Sequence, residues 1–111
     1  MAKTIPKRVK KFIKDYANNL SPDIKVEKVI LFGSYARGKT HRDSDIDLVI
    51  ISPNFKKMEF MERLIWLSKM RGERFITRAM DIFGYTKEEF ERLSKESIVL
   101  EEAKKEGVVI K

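Results

Sequence analysis

Two apolar runs joined through a Gly-Ser turn restrict the folds open to this chain. The first, Val29-Ile30-Leu31-Phe32, runs into Gly33-Ser34, and the second, Ile46 to Ile51, follows Asp45 and is interrupted only by Asp47. The unbroken run Val29 to Phe32 reads as part of a strand, Val26 to Phe32, covered on both faces, and Asp45 to Ile51 reads as a second strand. Residues at i and i+2 of a strand project to one face, so Asp45 and Asp47 stand side by side. Two like charges that close call for a cation between them. A hard divalent metal fits, and Mg²⁺ held by carboxylates and substrate phosphates is the usual case. The turn at Gly33-Ser34, opening a short helix, offers free backbone N–H groups and a hydroxyl, which suit a phosphate. The pairing implies chemistry on a nucleoside triphosphate.

The rest of the chain supplies cover for a sheet. Val9, Phe12, Ile13, Tyr16 and Leu20 fall at helical spacing, which predicts a helix from Pro6 to about Asn19 before the break at Ser21-Pro22-Asp23. Ser34 to Arg37 makes a short helix ended by Gly38, and a polar loop, Lys39 to Ser44, leads to the second strand. After a turn at Ser52-Pro53-Asn54, Met58, Met61, Leu64, Ile65 and Ser68 mark the core face of a helix from about Lys56 to Met70. A third strand is expected over Ile76 to Phe83, then a turn at Gly84-Tyr85. Thr86 and Glu89 have capping-box spacing for the next helix. A last helix, Ser97 to Glu106, stops at Gly107 before a short edge strand in Val108-Val109-Ile110. This alternation indicates an α/β (α+β) domain, a sheet with helices packed on it. The 111 residues fit a single domain over 1–111.

Charge and composition narrow the function classes. Twenty-four basic against 17 acidic residues leave a net charge of +7, favouring polyanionic ligands such as nucleotides. Cysteine is absent, which excludes disulfides, thiol catalysis and zinc–thiolate sites. No segment has the apolar length of a membrane span, and the basic start reads as an amphipathic helix, so a cytoplasmic location is expected. The Lys, Glu and Arg richness and the lack of glutamine fit a thermophile.

Gly33-Ser34, then Asp45-x-Asp47, resembles the signature of the DNA polymerase β-type nucleotidyltransferase superfamily. The text Leu31-Phe32-Gly33-Ser34-Tyr35-Ala36-Arg37-Gly38 through Ser44-Asp45-Ile46-Asp47-Leu48-Val49-Ile50 is similar to its minimal nucleotidyltransferase (MNT) branch. So are Asp81-Ile82-Phe83-Gly84-Tyr85-Thr86-Lys87-Glu88-Glu89-Phe90 and the ending Glu106-Gly107-Val108-Val109. The resemblance implies the nucleotidyltransferase fold with a mixed sheet, two Mg²⁺ ions, and Asp45, Asp47 and a third carboxylate as catalytic metal ligands. Asp81 matches the third. From the residues alone, Thr77, Ala79, Asp81 and Phe83 share a strand face, where an acid among apolar neighbours needs a partner.

The same resemblance implies transfer of a nucleoside monophosphate, AMP from ATP, to a hydroxyl. Gly33 and Ser34 would hold the leaving phosphates, with Arg37, Lys39 or Arg42 as candidate cations. MNT proteins are commonly the antitoxin of a toxin–antitoxin pair with a helical HEPN-family protein, and some modify the toxin's tyrosine with AMP. Two alternatives stand beside this. One is a non-catalytic antitoxin or scaffold, against which the complete set of acids counts. The other is a basic nucleic-acid-binding module, against which paired carboxylates beside a phosphate turn and the lack of interleaved aromatics count. His41 reads as a solvated loop residue. Phe60, Trp66 and Leu67 fall partly off the core face of their helix, which suggests a covered surface, in a homo-oligomer or with a partner.

Overall fold

The computed structural model describes residues 5–38 and 45–111. The expected loop at Lys39 to Ser44, with the candidates Lys39, His41 and Arg42, lies outside them. Eleven elements follow in order: α1 (Lys7–Leu20), β1 (Lys28–Phe32), α2 (Ser34–Arg37), β2 (Ile46–Ile51), a 3-10 turn (Pro53–Lys57), α3 (Phe60–Lys69), α4 (Gly72–Phe75), β3 (Met80–Tyr85), α5 (Lys87–Leu93), α6 (Ile98–Glu106) and β4 (Val108–Val109).

The strands form one mixed sheet in the order β3-β2-β1-β4. β1 is antiparallel to both β2 and β4, while β2 and β3 run parallel. The two apolar runs thus occupy the centre, where most of both sheet faces is covered. Val29 and Leu31 of β1 and Ile46, Leu48 and Ile50 of β2 meet Val9, Ile13, Tyr16 and Leu20 of α1 and Leu67 of α3. The opposite face carries Ile30, Phe32, Val49, Ile51 and Tyr85 against Phe90, Leu100 and Ala103 of α5 and α6. Because α5 and α6 cover the Ile51–Tyr85 end of that face, its other end stays open, and there period-2 alternation puts Asp47 and Asp81.

Most boundaries lie close to expectation, but the helix expected from about Lys56 begins at Phe60, after the 3-10 turn, and three further readings change. The third strand begins at Met80 rather than Ile76, because Gly72–Phe75 forms a further helical turn; Ile76 is left 66% exposed. Gly84 and Tyr85 belong to β3 instead of a turn, and Gly84 is close-packed: a Cβ there would come within 2.8 Å of the Phe55 ring. The inward face of α3 is rotated from the expected one. Leu67 and Arg63 are buried, Trp66 packs partly against the core, and Met61 and Ile65 are 63% and 52% exposed.

The cause of that rotation is Arg63. Its guanidinium makes a two-pronged pair with Glu89 (2.7 and 3.0 Å) and also donates to the carbonyls of Met58 and Gly84. Glu89 meanwhile closes the Thr86 capping box of α5. A buried guanidinium needs this many acceptors, and once it has them the polar residue takes the inward position.

Candidate active site

Gly33 ends β1 and turns the chain into α2 with φ +73° and ψ −143°, a conformation open to glycine and strained for other residues. Its missing side chain matters as much as its backbone. A Cβ at Gly33 would meet Asp47 Oδ2 at 2.2 Å, so glycine lets the carboxylate lie directly against the turn. Ser34 is the first residue of α2, and the amides of such a first turn have no partner within the helix. Arg37 N–H closes the turn on the Gly33 carbonyl (3.1 Å), and Gly38 ends it in the left-handed region.

Two contacts fix the turn from outside. Arg78, just ahead of β3, donates to the buried Tyr35 hydroxyl of α2 (2.5 Å) with its guanidinium 5.9 Å from the ring centroid. Arg37 donates to Glu102 of α6 (2.7 Å). Sequence reading missed Arg78; the signal available was a cation immediately before the strand that carries Asp81.

Asp47 of β2 and Asp81 of β3 are partners in the parallel register. The Asp47 carboxyl is pushed up to about 6, first by burial, then by the charge of Asp81, a hydrogen bond to it, and the charge of Asp45; Arg37 opposes the shift. Two carboxylates this close repel when both are ionised, so Asp47 holds its proton more tightly than a solvated aspartate. Asp45 is exposed at the entry to β2 and near enough to act on Asp47 by charge. Among the described residues no three acidic, histidine or cysteine side chains gather into a metal cage. Of the three expected acids, Asp47 and Asp81 lie side by side in register, and Asp45 stands at the exposed entry to β2. That donor set suits a hard divalent cation: two hard oxygen ligands with too much negative charge for one site, and open coordination positions toward solvent.

Of the cation candidates, Arg37 is beside the site, its guanidinium engaged by Glu102 while its charge still reaches Asp47. Phe32 and Phe83, whose ring centroids are 6.4 Å apart, lie on the same sheet face as the acids and form its apolar floor. No helix among the described residues is long and apolar enough to cross a membrane.

Comparison with known proteins bears on the family and the fold. The family model for the nucleotidyltransferase domain matches residues 7–105. A Methanocaldococcus jannaschii protein named as a candidate protein adenylyltransferase is 33% identical over 69 residues, covering 58% of this chain and 67% of its own. The solved structure of a candidate nucleotidyltransferase from Sulfolobus solfataricus superposes with a TM-score of 0.65 at 26% identity, covering 92% of this chain and 78% of that one. A toxin–antitoxin structure with AMP-PNP shares the fold at a TM-score of 0.55 and 19% identity, covering 92% and 72% of the two chains.

Proposed function

The chain belongs to the nucleotidyltransferase domain family, and from that premise we propose that it transfers AMP from ATP to a hydroxyl of a partner protein. The observation that carries this reading is the register pairing of Asp47 with Asp81 against the Gly33 turn. It sets an acidic pair and a run of backbone donors on one open sheet end, as a triphosphate and its cation require. Asp45, Asp47 and Asp81 are the metal ligands in this reading. Two bound Mg²⁺ ions would supply charge neutralisation at the triphosphate and activation of the acceptor hydroxyl.

The chain's own residues do the rest. Gly33 and the Ser34 amide and hydroxyl hold the leaving phosphates, in a turn kept rigid by Arg78 on Tyr35. Arg37 adds positive charge at the rim. Asp81, exposed on the outermost strand, is placed to take the acceptor's proton. Adenylyl transfer to protein is supported by the name of the M. jannaschii relative.

A second chain as acceptor has support from the surface of α3. Phe60, Met61 and Ile65 are 42%, 63% and 52% exposed beside the strand that carries Asp81. We assign this stripe to a helical partner, a HEPN-family toxin, in line with the shared fold of the toxin–antitoxin structure. Incubation with Mg²⁺, labelled ATP and the product of the neighbouring gene tests the whole reading. The expected result is a mass gain of one AMP on the partner, lost in Asp45→Asn/Asp47→Asn. Labelling that survives in the double variant refutes it.

A further inference from the structure

β3 is the outermost strand on its side of the sheet, and its free edge lies beside the site. Ile46 N–H donates to the Ala79 carbonyl and Ser52 N–H to the Tyr85 carbonyl, both at 3.0 Å. In a parallel ladder both backbone groups of a residue face the same neighbour, and successive residues face opposite sides. Ala79, Asp81, Phe83 and Tyr85 therefore address β2, while Met80, Ile82 and Gly84 address the free side.

Two arginines close the ends of this edge. Arg63 donates to the Gly84 carbonyl (3.2 Å), and Arg71 donates to the Arg78 carbonyl (2.7 Å). Between them, no partner among the described residues meets the outward N–H and C=O of Met80 or Ile82. They open instead into a groove of about 280 Å³ between β3 and α3, walled by Leu64, Ser68 and Arg71 and reaching Asp81 and Phe83. Arg71 Nε, buried at this groove, also has no hydrogen-bond partner. Folded proteins blunt bare strand edges with charges, prolines or bulges. Here Met80 to Phe83 carry none of these except Asp81.

We propose that this edge is the acceptor site, and that it takes an extended polypeptide segment as an added antiparallel strand with a hydroxyl side chain opposite Asp81. The inference rests on the adenylyl-transfer reading for its chemistry and on the edge geometry for its ligand class. Unsatisfied donors and acceptors alternating along an edge are complementary to another strand, and to few other ligands. The position opposite Asp81 in an antiparallel pair is non-hydrogen-bonded, the arrangement in which facing side chains come closest. The two flanking residues of the segment then point toward the Leu64–Ser68 wall, which selects apolar neighbours for the hydroxyl. In the transfer, the hydroxyl oxygen bonds to the α-phosphorus, the bond to the pyrophosphate oxygen breaks, and the hydroxyl proton passes to the carboxylates.

The probe is the peptide acetyl-Lys-Val-Tyr-Val-Lys-amide, with amide hydrogen exchange of the unmodified protein as one readout and AMP transfer from Mg²⁺–ATP as the other. Without peptide, the Met80 and Ile82 amides exchange faster than those of Asp81 and Phe83. With it, they slow by about tenfold or more. N-methylation of both valines abolishes protection and transfer; N-methylation of the tyrosine leaves both. Transfer without protection of Met80 and Ile82 overturns this inference and leaves the activity standing. Protection without transfer upholds the docking mode and counts against the activity. Dependence on the tyrosine amide instead of the valine amides overturns the antiparallel pairing. Protection that rises with protein concentration alone identifies the occupant as a second copy and overturns the peptide assignment.

Discussion

Replacing Asp47 with asparagine should stabilise the metal-free protein while destroying its function. The Asp47 carboxyl rises from 3.8 to about 6 in the fold, roughly two units, or about 3 kcal/mol at full weight. Asp47 is only half-buried and solvent screens part of this, so about 1–1.5 kcal/mol is the working figure. The sign follows from which state holds the proton more tightly, here the folded one. Below pH 3.8 both states are protonated and the aspartate costs nothing. Between pH 4 and 6 the unfolded chain ionises first and stability falls. Above about pH 6 the whole penalty remains. Asparagine keeps a donor toward Asp81 without the charge. In EDTA at pH 7.5, Asp47→Asn should melt about 5–10 °C above the parent, and at pH 3.5 the two should coincide. Mg²⁺ with ATP should reverse the order, since saturation at a hundredfold Kd adds about 2.7 kcal/mol to the parent alone. An Asp47→Asn protein that melts at or below the parent at pH 7.5 in EDTA refutes the reasoning. So does a gain that persists at pH 3.5.

Gly33→Ala should cost about 1–2 kcal/mol for its left-handed backbone and displace the Asp47 carboxylate it would strike; calorimetry should show Mg²⁺ binding lost while circular dichroism keeps its helix signal. Arg63→Ala should cost about 3–5 kcal/mol in urea unfolding, because Glu89 and the Met58 and Gly84 carbonyls lose their donor together. Glu89 is held below the usual glutamate range, first by the hydrogen bond from Arg63. Its contribution is therefore present above about pH 4.5 and lost as pH falls, and the stability gap between parent and Glu89→Gln should close in acid. Tyr16→Phe should cost about 1–2 kcal/mol by thermal melting, since the buried Leu67 carbonyl would lose its 2.6 Å hydrogen bond.

What could be read in advance was what short-range chemistry dictates. The runs at 29–32 and 46–51 became the central strands because their apolar residues, Asp47 aside, are suited to burial on both faces. The Gly33-Ser34 turn, the Gly38 stop and the Thr86–Glu89 capping box are settled within four residues, and all three appear in the fold. Asp81 was a different matter. Its face could be assigned from alternation, but its pairing with Asp47 depends on the register of two strands joined through α3 and α4, which no local pattern states. The extra turn Gly72–Phe75 was hidden for the same reason. Gly72 resembles a helix stop, yet Phe75 is drawn in by edge-to-face contacts with Phe12 and Tyr16 of distant α1.

The rotation of α3 joins the misread element to the site. Periodicity pointed Met61, Leu64 and Ile65 inward and put Trp66 and Leu67 partly off the core face, whereas Leu67 is buried and Trp66 packs on the core. The choice was made by a polar residue, Arg63, whose acceptors lie just after the 3-10 turn, on β3 and on α5. With Arg63 inward, Met61 and Ile65 face solvent and the wall of Leu64, Ser68 and Arg71 faces the edge of β3. The opposite rotation would bury the apolar stripe and leave Glu89 without its partner. One ion pair thus fixes the helix, caps one end of the open strand edge, and leaves apolar surface beside the acids. A variant in which Arg63 and Glu89 are replaced together by methionine and leucine tests this coupling. Removing both charges together should cost less than Arg63→Ala alone, since no unpaired buried charge is left, while the Gly84 carbonyl loses its cap and the protected length of the edge changes. Unaltered peptide register in that variant would separate the ion pair from the docking surface.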